Sequence, residues 1–283
     1  MMAGWPWRGV CRAPNRATCA RTGPVIEIDE TALLEVAVQA ADAAAAELMS
    51  RFGGRSQGVR AKSGPTDLVS DADLAAEAAI RGVLADRRPG DSILGEEGGA
   101  SGDGELRWIV DPLDGTINFL FGIPAFAVSV ACEDASGALA GVVLDPVSGE
   151  RFTATRTGPA TLGGEPIEAS TRAELSTALI ATGFNYDAGV RARQAQVITR
   201  LLPRARDIRR VGAAALDLCW AACGRFDAYY ERGVKAWDVA AGALIAARAG
   251  LSVRELKAGP ELPSGILVAP AGLVDELYTL VSP

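Results

Sequence analysis

The period of the hydrophobic pattern changes along this chain, and the order of these changes limits the possible folds. Residues 29–52 and 71–87 are rich in alanine and leucine and begin with acidic residues, so each predicts a helix. From Ala125 the pattern becomes β-rich, in three segments separated by short glycine-containing turns, which predicts antiparallel hairpins. After about Glu165 strands and helices alternate. The sequence therefore predicts an α/β protein with an α+β first part and an α/β second part.

Several short elements are predicted around these hairpins. Residues 92–94 and 107–110 predict short strands, each running into acidic residues, and the polar segment 55–66 predicts a loop or a pair of short turns. The later strands are predicted at Ala178–Thr182, Asp207–Arg210, Asp227–Tyr230 and Ile266–Ala269, and the later helices at Val190–Leu202, Ala213–Cys223, Trp237–Ala249 and Ala271–Val281.

The chain of 283 residues is long enough for two lobes, at about 150 residues per domain. We predict an α+β lobe over residues 25–165, which carries most of the candidate metal ligands, and an α/β lobe over 166–283, which completes the site. No low-complexity linker separates the two, which suggests a shared interface. Residues 1–24 contain arginines but no acidic residue and show no periodicity, so we predict a disordered N-terminal extension there.

The chain contains no histidine, and this excludes Ser-His-Asp and Cys-His catalysis as well as histidine-ligated zinc and haem. Acid–base chemistry must therefore use carboxylates, lysine, tyrosine, hydroxyl groups or metal-activated water. The net charge of −7 argues against binding to a nucleic-acid backbone. No apolar run reaches the ~18 residues of a membrane span, and five cysteines without a CxxC pattern favour a reducing, cytoplasmic location.

The strand that ends at Val110 runs into the sequence Asp-Pro-Leu-Asp-Gly-Thr, which is the sharpest motif in the chain. The proline restricts Asp111 to extended geometry, so its carboxylate stands off the strand end close to that of Asp114. Gly115 and Thr116 can then begin a helix whose free N–H groups favour a phosphate. Carboxylate and phosphate oxygens together suit Mg²⁺. The plain alternative is an ordinary β-turn with Asx caps.

Two further acidic positions have both a plain and a functional interpretation. Glu96 and Glu97 follow a short strand and could be a solvated turn, yet this second acidic strand end precedes Asp111 by only a short segment. Asp238 follows Trp237 at the start of a predicted helix and could be only its N-cap. A carboxylate beside a large apolar side chain also fits a group directed into a cleft.

Taken together, these segments resemble the inositol monophosphatase family, within the Mg²⁺-dependent, lithium-sensitive sugar phosphatase superfamily. They occur in the order of the family motifs and extend from about residue 27 to the C-terminus. The matching segments are 62–73, 95–97, 111–116 with Asn118 and Phe119, 212–214, 229–231 and 237–238.

The resemblance implies a layered αβαβα sandwich and a phosphomonoesterase with two or three Mg²⁺ ions. The implied metal ligands are Glu96, Asp111, the carbonyl of Leu113, Asp114 and Asp238. The implied substrate contacts are Glu96, Leu113, Asp114, Gly115, Thr116, Gly212, Ala213, Ala214, Glu231 and Asp238. The implied catalytic residues are Glu96, Thr116 and Asp73, of which Thr116 and Asp73 would orient and deprotonate the attacking water.

The resemblance leaves the alcohol part of the substrate open. We expect a small polyol or sugar monophosphate, inositol 1-phosphate first, with histidinol phosphate and fructose 1,6-bisphosphate as alternatives. Ala213 and Lys235 stand where relatives carry threonine and histidine, close to the leaving group. A second basic pocket would indicate a bisphosphate, but the basic run Arg204–Arg210 is not predicted to lie at the site. The resemblance also implies a homodimer and, as a different class of function, a regulatory protein of a bacterial transcription complex.

Overall fold

The computed structural model describes residues 28–54, 58–64 and 67–282, so the extension predicted at residues 1–24 lies outside the described residues. The helices of the described residues are α1 Glu30–Met49, α2 Asp71–Arg87, α3 Thr116–Leu120, α4 Ala188–Leu201, α5 Ala214–Ala222, α6 Ala236–Arg248 and α7 Val274–Val281, with a 3₁₀ turn at Leu175–Thr177. None of these helices is both long and apolar enough to cross a bilayer.

The strands before residue 167 form a small hairpin and a large sheet. The hairpin pairs β1, Arg60–Gly64, with β2, Asp67–Val69. The large sheet has the order β10-β9-β8-β7-β6-β5-β3-β4, and its neighbours are antiparallel except for the parallel pair β3 and β5. Its strands are β3 Ser92–Gly95, β4 Gly99–Ser101, β5 Arg107–Asp114, β6 Ala127–Asp134, β7 Gly137–Leu144, β8 Arg151–Thr155, β9 Thr161–Leu162 and β10 Glu165–Pro166.

The remaining strands form a five-stranded mixed sheet with the order β12-β11-β13-β15-β14. Strand β11 is parallel to both its neighbours, whereas β15 is antiparallel to β13 and β14. These strands are β11 Leu179–Thr182, β12 Asp207–Arg209, β13 Ala228–Arg232, β14 Ser252–Leu256 and β15 Gly265–Ala269. The assignment of residues 25–165 and 166–283 as two lobes stays a prediction.

Alternation along the strands separates three apolar cores and so produces the layers. In β5, Trp108 and Val110 pack with α1 and α2, whereas Ile109 faces the opposite core, which contains α5 and α6. In β13, Tyr229 faces this same central core and Tyr230 packs with α4 and α7. The order helix, sheet, helix, sheet, helix confirms the predicted αβαβα sandwich.

Small residues let the middle helix layer lie close to the large sheet. A Cβ atom added to Gly141 in β7 would stand 3.0 Å from the Cα of Ala241 in α6. A side chain at this position would therefore push α6 away from the sheet. Because α6 also carries Asp238 in its first turn, this close packing sets how far Asp238 lies from the end of β5.

The structure differs from the predicted elements at the sheet edges. Strand β14, Ser252–Leu256, was not predicted, because its two central charged residues interrupt the apolar alternation of an edge strand. The segment 55–66, predicted as a loop or short turns, contains strand β1 of the β1–β2 hairpin. Helix α7 begins at Val274 rather than Ala271. None of these differences changes the layer order.

Candidate active site

The end of β5 places two carboxylates at one point of the fold. The β5–β6 ladder is irregular between Asp111 and Asp114, where Pro112 has no N–H to donate. The Leu113 N–H instead donates to Asp111 Oδ1 at 3.0 Å, so the turn is fixed by the aspartate itself. Asp111 is 1 % exposed and Asp114 is also buried. The Asx contact of the plain alternative is therefore present, but the turn that carries it is buried.

Thr116 and Asp73 meet directly, although 43 positions separate them in the chain. Thr116 Oγ1 lies 3.0 Å from Asp73 Oδ1 and 3.1 Å from the carbonyl oxygen of Leu113. Gly115, with φ of +93°, makes the left-handed turn that starts α3 at Thr116. The other oxygen of Asp73 accepts from the N–H and the hydroxyl of Ser70, which caps α2. Asp73 is thus fixed with one oxygen toward Thr116.

Glu96 is brought beside Asp111 by the parallel pairing of β3 and β5. Gly95 is in register with Val110, so Glu96, which directly follows β3, comes level with Asp111 of β5. The Glu96 N–H donates to the carbonyl of Val110 at 3.3 Å, and its carboxyl group shares a hydrogen bond with Asp111. Glu96 thus lies in a turn and is half-buried, with its carboxyl group against Asp111.

The second half of the chain reaches the site through the first turns of two helices. Asp114 accepts from the N–H groups of Ala214 at 3.1 Å and Ala215 at 2.7 Å, and so caps α5 across the cavity. In α6, Asp238 accepts from the Lys235 N–H at 2.6 Å. The N-cap residue is therefore Lys235 rather than Asp238, which is the third residue of α6; its carboxylate bonds the N-cap backbone and also lines the cavity.

The carboxylates at this end of the cavity disfavour one another's ionisation. Burial and the charges of Glu96, Asp114 and Asp238 raise the pKa of Asp111 well above its usual range. Burial raises the pKa of Asp114 to about 7, despite the N–H groups that lower it. Burial and the charge of Asp114 raise the pKa of Asp238 to about 8. A divalent cation would relieve this repulsion.

The donors fit such a cation by their chemistry. Carboxylate and carbonyl oxygens are the ligands that Mg²⁺ takes, and no softer ligand stands among them. Within the described residues, no three acidic or cysteine side chains already have the spacing of a finished metal site. The residues able to hold a cation are Glu96, Asp111, Leu113, Asp114 and Asp238, all of which line the same cavity.

One cavity of about 760 Å³ joins the acidic end to the C-terminal half of the chain. The sequence-predicted site residues that line it are Glu96, Asp111, Leu113, Asp114, Gly115, Thr116, Gly212, Ala214, Glu231 and Asp238. Two predicted residues lie behind the wall. Asp73 reaches the cavity only through Thr116, and Ala213, 1 % exposed, is part of the central apolar core.

Glu231 stands on the wall of the cavity where β13 ends. Its Oε2 accepts from the Tyr229 hydroxyl at 2.8 Å, and burial raises its pKa to about 7. A side chain at Gly183, on the neighbouring strand end, would overlap the Glu231 carboxylate, so that position leaves the space for it. Glu231 is thus held in place while one oxygen stays available to a hydroxyl or amine of the substrate.

Besides the buried Arg232, whose guanidinium donates to backbone carbonyls, three cationic side chains line the same cavity: Arg191, Arg210 and Lys235. The basic run 204–210, which was not predicted to lie at the site, thus contributes Arg210 to it. Its guanidinium lies over Gly212, where a Cβ atom would overlap it. Arg191 donates to the carbonyls of Asn185 and Tyr186, at 3.0 and 2.7 Å. None of the three forms an ion pair with a carboxylate of the described residues.

Asp217 is a buried polar residue that the sequence analysis missed. It lies one turn into α5, and neither side-chain oxygen has a hydrogen-bond partner in the part of the chain that the structure describes. Burial and the charges of Glu231 and Asp114 raise its pKa well above the usual range. An acidic residue within the apolar sequence of α5 is the one signal that could have indicated it.

The layered fold and a buried acidic strand end facing one polar cavity define a phosphoric monoester hydrolase. The chain belongs to the inositol monophosphatase family, whose sequence model matches residues 29–280. It is 47% identical over 231 residues to the inositol-1-monophosphatase of Mycobacterium leprae. That match covers 77% of this chain and 79% of the M. leprae protein. The chain is 38% identical over 256 residues to the Nus factor SuhB of Haemophilus influenzae, and that match covers 89% of this chain and 96% of the relative.

Solved structures agree with this assignment. The extragenic suppressor protein suhB of Bartonella henselae has a TM-score of 0.81 and 36% identity, and the match covers 88% of this chain and 98% of that one. Mycobacterium tuberculosis SuhB has a TM-score of 0.75 and 39% identity, with 89% and 96% covered. The family is generally metal-dependent, and its substrates are small phosphate esters.

Proposed function

We propose that this protein is a Mg²⁺-dependent phosphomonoesterase that hydrolyses a small polyol or sugar monophosphate. The first candidate substrate is inositol 1-phosphate. The observation that carries the proposal is the meeting of Asp111, Glu96 and Asp114 with the Thr116–Asp73 pair at one end of one cavity. The inositol-1-monophosphatases named among its relatives support the choice of alcohol.

The acidic residues divide between two cation sites in this proposal. Glu96, Asp111 and the Leu113 carbonyl would hold the first Mg²⁺, and Asp111, Asp114 and Asp238 the second. Bound Mg²⁺ supplies Lewis-acid chemistry, by stabilising negative charge on the reacting oxygens. Asp111 is shared by both sites and sits deepest, so the arrangement depends on it most.

The remaining polar groups act on the water and on the substrate. Thr116 orients the attacking water and takes its proton, while its own hydroxyl proton passes to Asp73 Oδ1, 3.0 Å away. The water oxygen bonds to phosphorus as the bond from phosphorus to the ester oxygen breaks, and the leaving alkoxide takes a proton from solvent water to become the alcohol. The N–H groups of Gly115 and Thr116 hold the phosphate. Glu231 accepts from hydroxyl groups of the alcohol.

The test is phosphate release from inositol 1-phosphate, histidinol phosphate and fructose 1,6-bisphosphate, each with Mg²⁺ and with EDTA. We expect release with Mg²⁺ that EDTA abolishes and that is fastest with inositol 1-phosphate. Release that persists in EDTA would contradict the metal assignment. No release from any of the three by folded, Mg²⁺-supplied protein would contradict the enzymatic proposal for these substrates.

A bisphosphate is the second candidate substrate, and the cationic side chains of the cavity favour it. Arg191, Arg210 and Lys235 can attract a second phosphate on the alcohol. The same charges disfavour histidinol phosphate, because its amine would meet like charges. Release from fructose 1,6-bisphosphate faster than from inositol 1-phosphate would support this candidate over the first.

A regulatory role is the candidate from a different class, and the relative named Nus factor SuhB favours it. It would require a protein partner, and co-purification with RNA polymerase is its test. We also propose a homodimer and a cytoplasmic location. The free Cys132, Cys219 and Cys223 suit a reducing compartment. Light scattering of the purified protein would check the dimer.

A further inference from the structure

Glu77, in the second turn of α2, is a buried acid that the proposed reaction does not use. It is 3 % exposed, and both its oxygens are occupied by the turn between β3 and β4. Oε2 accepts from the Glu97 N–H at 2.7 Å, and Oε1 accepts from the Gly98 N–H at 2.8 Å. Glu77 therefore binds the backbone immediately after Glu96.

Arg81, one turn further along α2, completes this attachment. Its Nε donates to Glu77 Oε1 at 2.7 Å, which neutralises the buried charge. Its two terminal nitrogens donate to the Gly99 carbonyl at 2.7 Å and to the Ser101 hydroxyl at 2.9 Å. The planar guanidinium thus joins the helix to both the turn and strand β4.

The turn is shaped to close over this pair of side chains. A Cβ atom at Gly95 would overlap the Glu77 carboxylate, and one at Gly98 would stand 2.6 Å from Glu77 Oε1. Only residues without a side chain allow the backbone on both sides of Glu96 to come this close. The glycines of the segment Gly95–Gly98 thus serve a contact with α2.

Glu96 lies in the turn of a short hairpin at the edge of the large sheet. Strand β4 has three residues and β3 has four. A hairpin this short is at best marginally stable by itself. The attachment to α2 therefore adds a restraint on the backbone of the turn that carries Glu96.

We propose that Glu77 and Arg81 are positioning residues that hold Glu96 in the orientation in which it binds the first Mg²⁺. The proposal rests on the function proposed above for the acidic end of the cavity. Neither residue lines the cavity, so they act through the backbone of residues 97–99. Residues that orient metal ligands in this way typically contribute about 10–100-fold to metal affinity.

The test measures Mg²⁺ binding by calorimetry, without substrate, in the full chain. In Glu77→Gln the amide keeps the shape of the side chain but places an NH₂ group against an N–H donor. We expect Mg²⁺ affinity to fall about tenfold. The matched control is Glu133→Gln, which weakens another buried ion pair, to Arg107, at the opposite end of β5. We expect the control to bind Mg²⁺ as the wild type does.

A double-mutant cycle separates positioning from general destabilisation. If Glu77 acts through Glu96, then in the Glu96→Gln background Glu77→Gln should change Mg²⁺ affinity by less than about twofold. A further tenfold loss in that background would overturn the proposal, as would wild-type affinity in Glu77→Gln alone. If Glu77→Gln does not fold, Arg81→Lys is used instead. A lysine cannot bond Glu77, Gly99 and Ser101 at the same time, so the same changes in Mg²⁺ affinity are expected and the same results would overturn the proposal.

Calorimetry also keeps this proposal distinct from the proposed function. A wild type that binds Mg²⁺ but releases no phosphate from any tested ester would overturn the phosphatase proposal, while the affinities of the variants would still decide the role of Glu77. A folded wild type that binds no Mg²⁺ at millimolar concentration would overturn both.

Discussion

The anionic and the cationic side chains of the cavity differ in how they are held. At the acidic end, Asp111, Asp114 and Thr116 are buried and each is bonded to backbone or to another buried group. On the cationic wall, which consists of Arg210 and Lys235, both side chains are exposed, and neither forms an ion pair within the described residues. A buried charge needs such partners, whereas an exposed cation is solvated by water. The fold therefore fixes the residues proposed for the reaction more firmly than the residues proposed to select the alcohol part of the substrate.

The strongest way to break this comparison is Asp111→Asn, which removes the charge shared by both proposed cation sites. We expect kcat for inositol 1-phosphate to fall at least ~10³-fold, as for loss of a principal transition-state stabiliser. Phosphate release at saturating Mg²⁺ measures it. Asp227→Asn, at a buried carboxylate bonded to Arg172 away from the cavity, is the control and should keep its kcat. Unchanged turnover in Asp111→Asn would overturn the assignment.

Thr116→Val tests the same end with no change of charge. The valine keeps the shape of the side chain but cannot pass a proton to Asp73, so we expect kcat to fall about 10²-fold. Thr116→Ser, which keeps the hydroxyl group, should retain most of the activity. Single-turnover phosphate release compares the two variants. Equal rates for valine and serine would show that the hydroxyl takes no part in the reaction.

Arg210→Ala tests the cationic wall of the cavity. A hydrogen bond to a charged group is typically worth about 1.5–3 kcal/mol, so we expect about a tenfold rise in KM for fructose 1,6-bisphosphate. For inositol 1-phosphate, which has no second phosphate, KM should change little. The control is Arg209→Ala, since Arg209 pairs with Asp207 and does not line the cavity. Equal changes in KM for both substrates would contradict a role in binding a second anion.

The smallest expected effect is the pH dependence of stability without metal. The folded state raises the pKa of Asp114 to about 7 and of Asp238 to about 8, so between about pH 4 and 8 it binds more protons than the unfolded chain. Stability therefore falls as pH rises through this window. We expect Tm in EDTA to drop by at least about 2 °C from pH 5 to pH 8.

Added Mg²⁺ serves as the control for the pH measurement. Because a bound cation favours the ionised carboxylates, Mg²⁺ should raise Tm more at pH 8 than at pH 5. The chain contains no histidine, so no histidine titration overlaps this window. A Tm that rises with pH in EDTA would contradict the repulsion inferred for the acidic end.

The sequence predicted the acidic end of the cavity better than its cationic wall, for a physical reason. Asp111, Asp114 and Thr116 lie within one short motif at a strand end, and the family resemblance adds Asp73 and Glu96; the structure brings all five together, although their roles stay predictions. Arg210 lines the cavity from the loop before α5, with its guanidinium over Gly212 two positions later. A loop residue follows no apolar period, so nothing in the local sequence indicates that it faces the cavity.

The same distinction holds for the fold. Helix α2 spans Asp71–Arg87 as predicted, because its cap and its apolar face are both local features. Strand β14 was missed because an edge strand with Arg254 and Glu255 at its centre lacks the alternation by which strands are recognised. The role inferred for Glu77 was not predicted either, since an acid within an alanine-rich helix usually faces solvent.

The contact between Asp114 and the first turn of α5 also affects how such a protein can diverge. A substitution at Asp114 alters the charge at the acidic end and at the same time uncaps α5, so two properties are lost in one mutational step. Among the residues that the structure describes, Arg210 and Lys235 hold no ion pair, and each can be exchanged alone. Descendants of this protein can therefore change their specificity for the alcohol part of the substrate by single substitutions, while the acidic end stays unaltered.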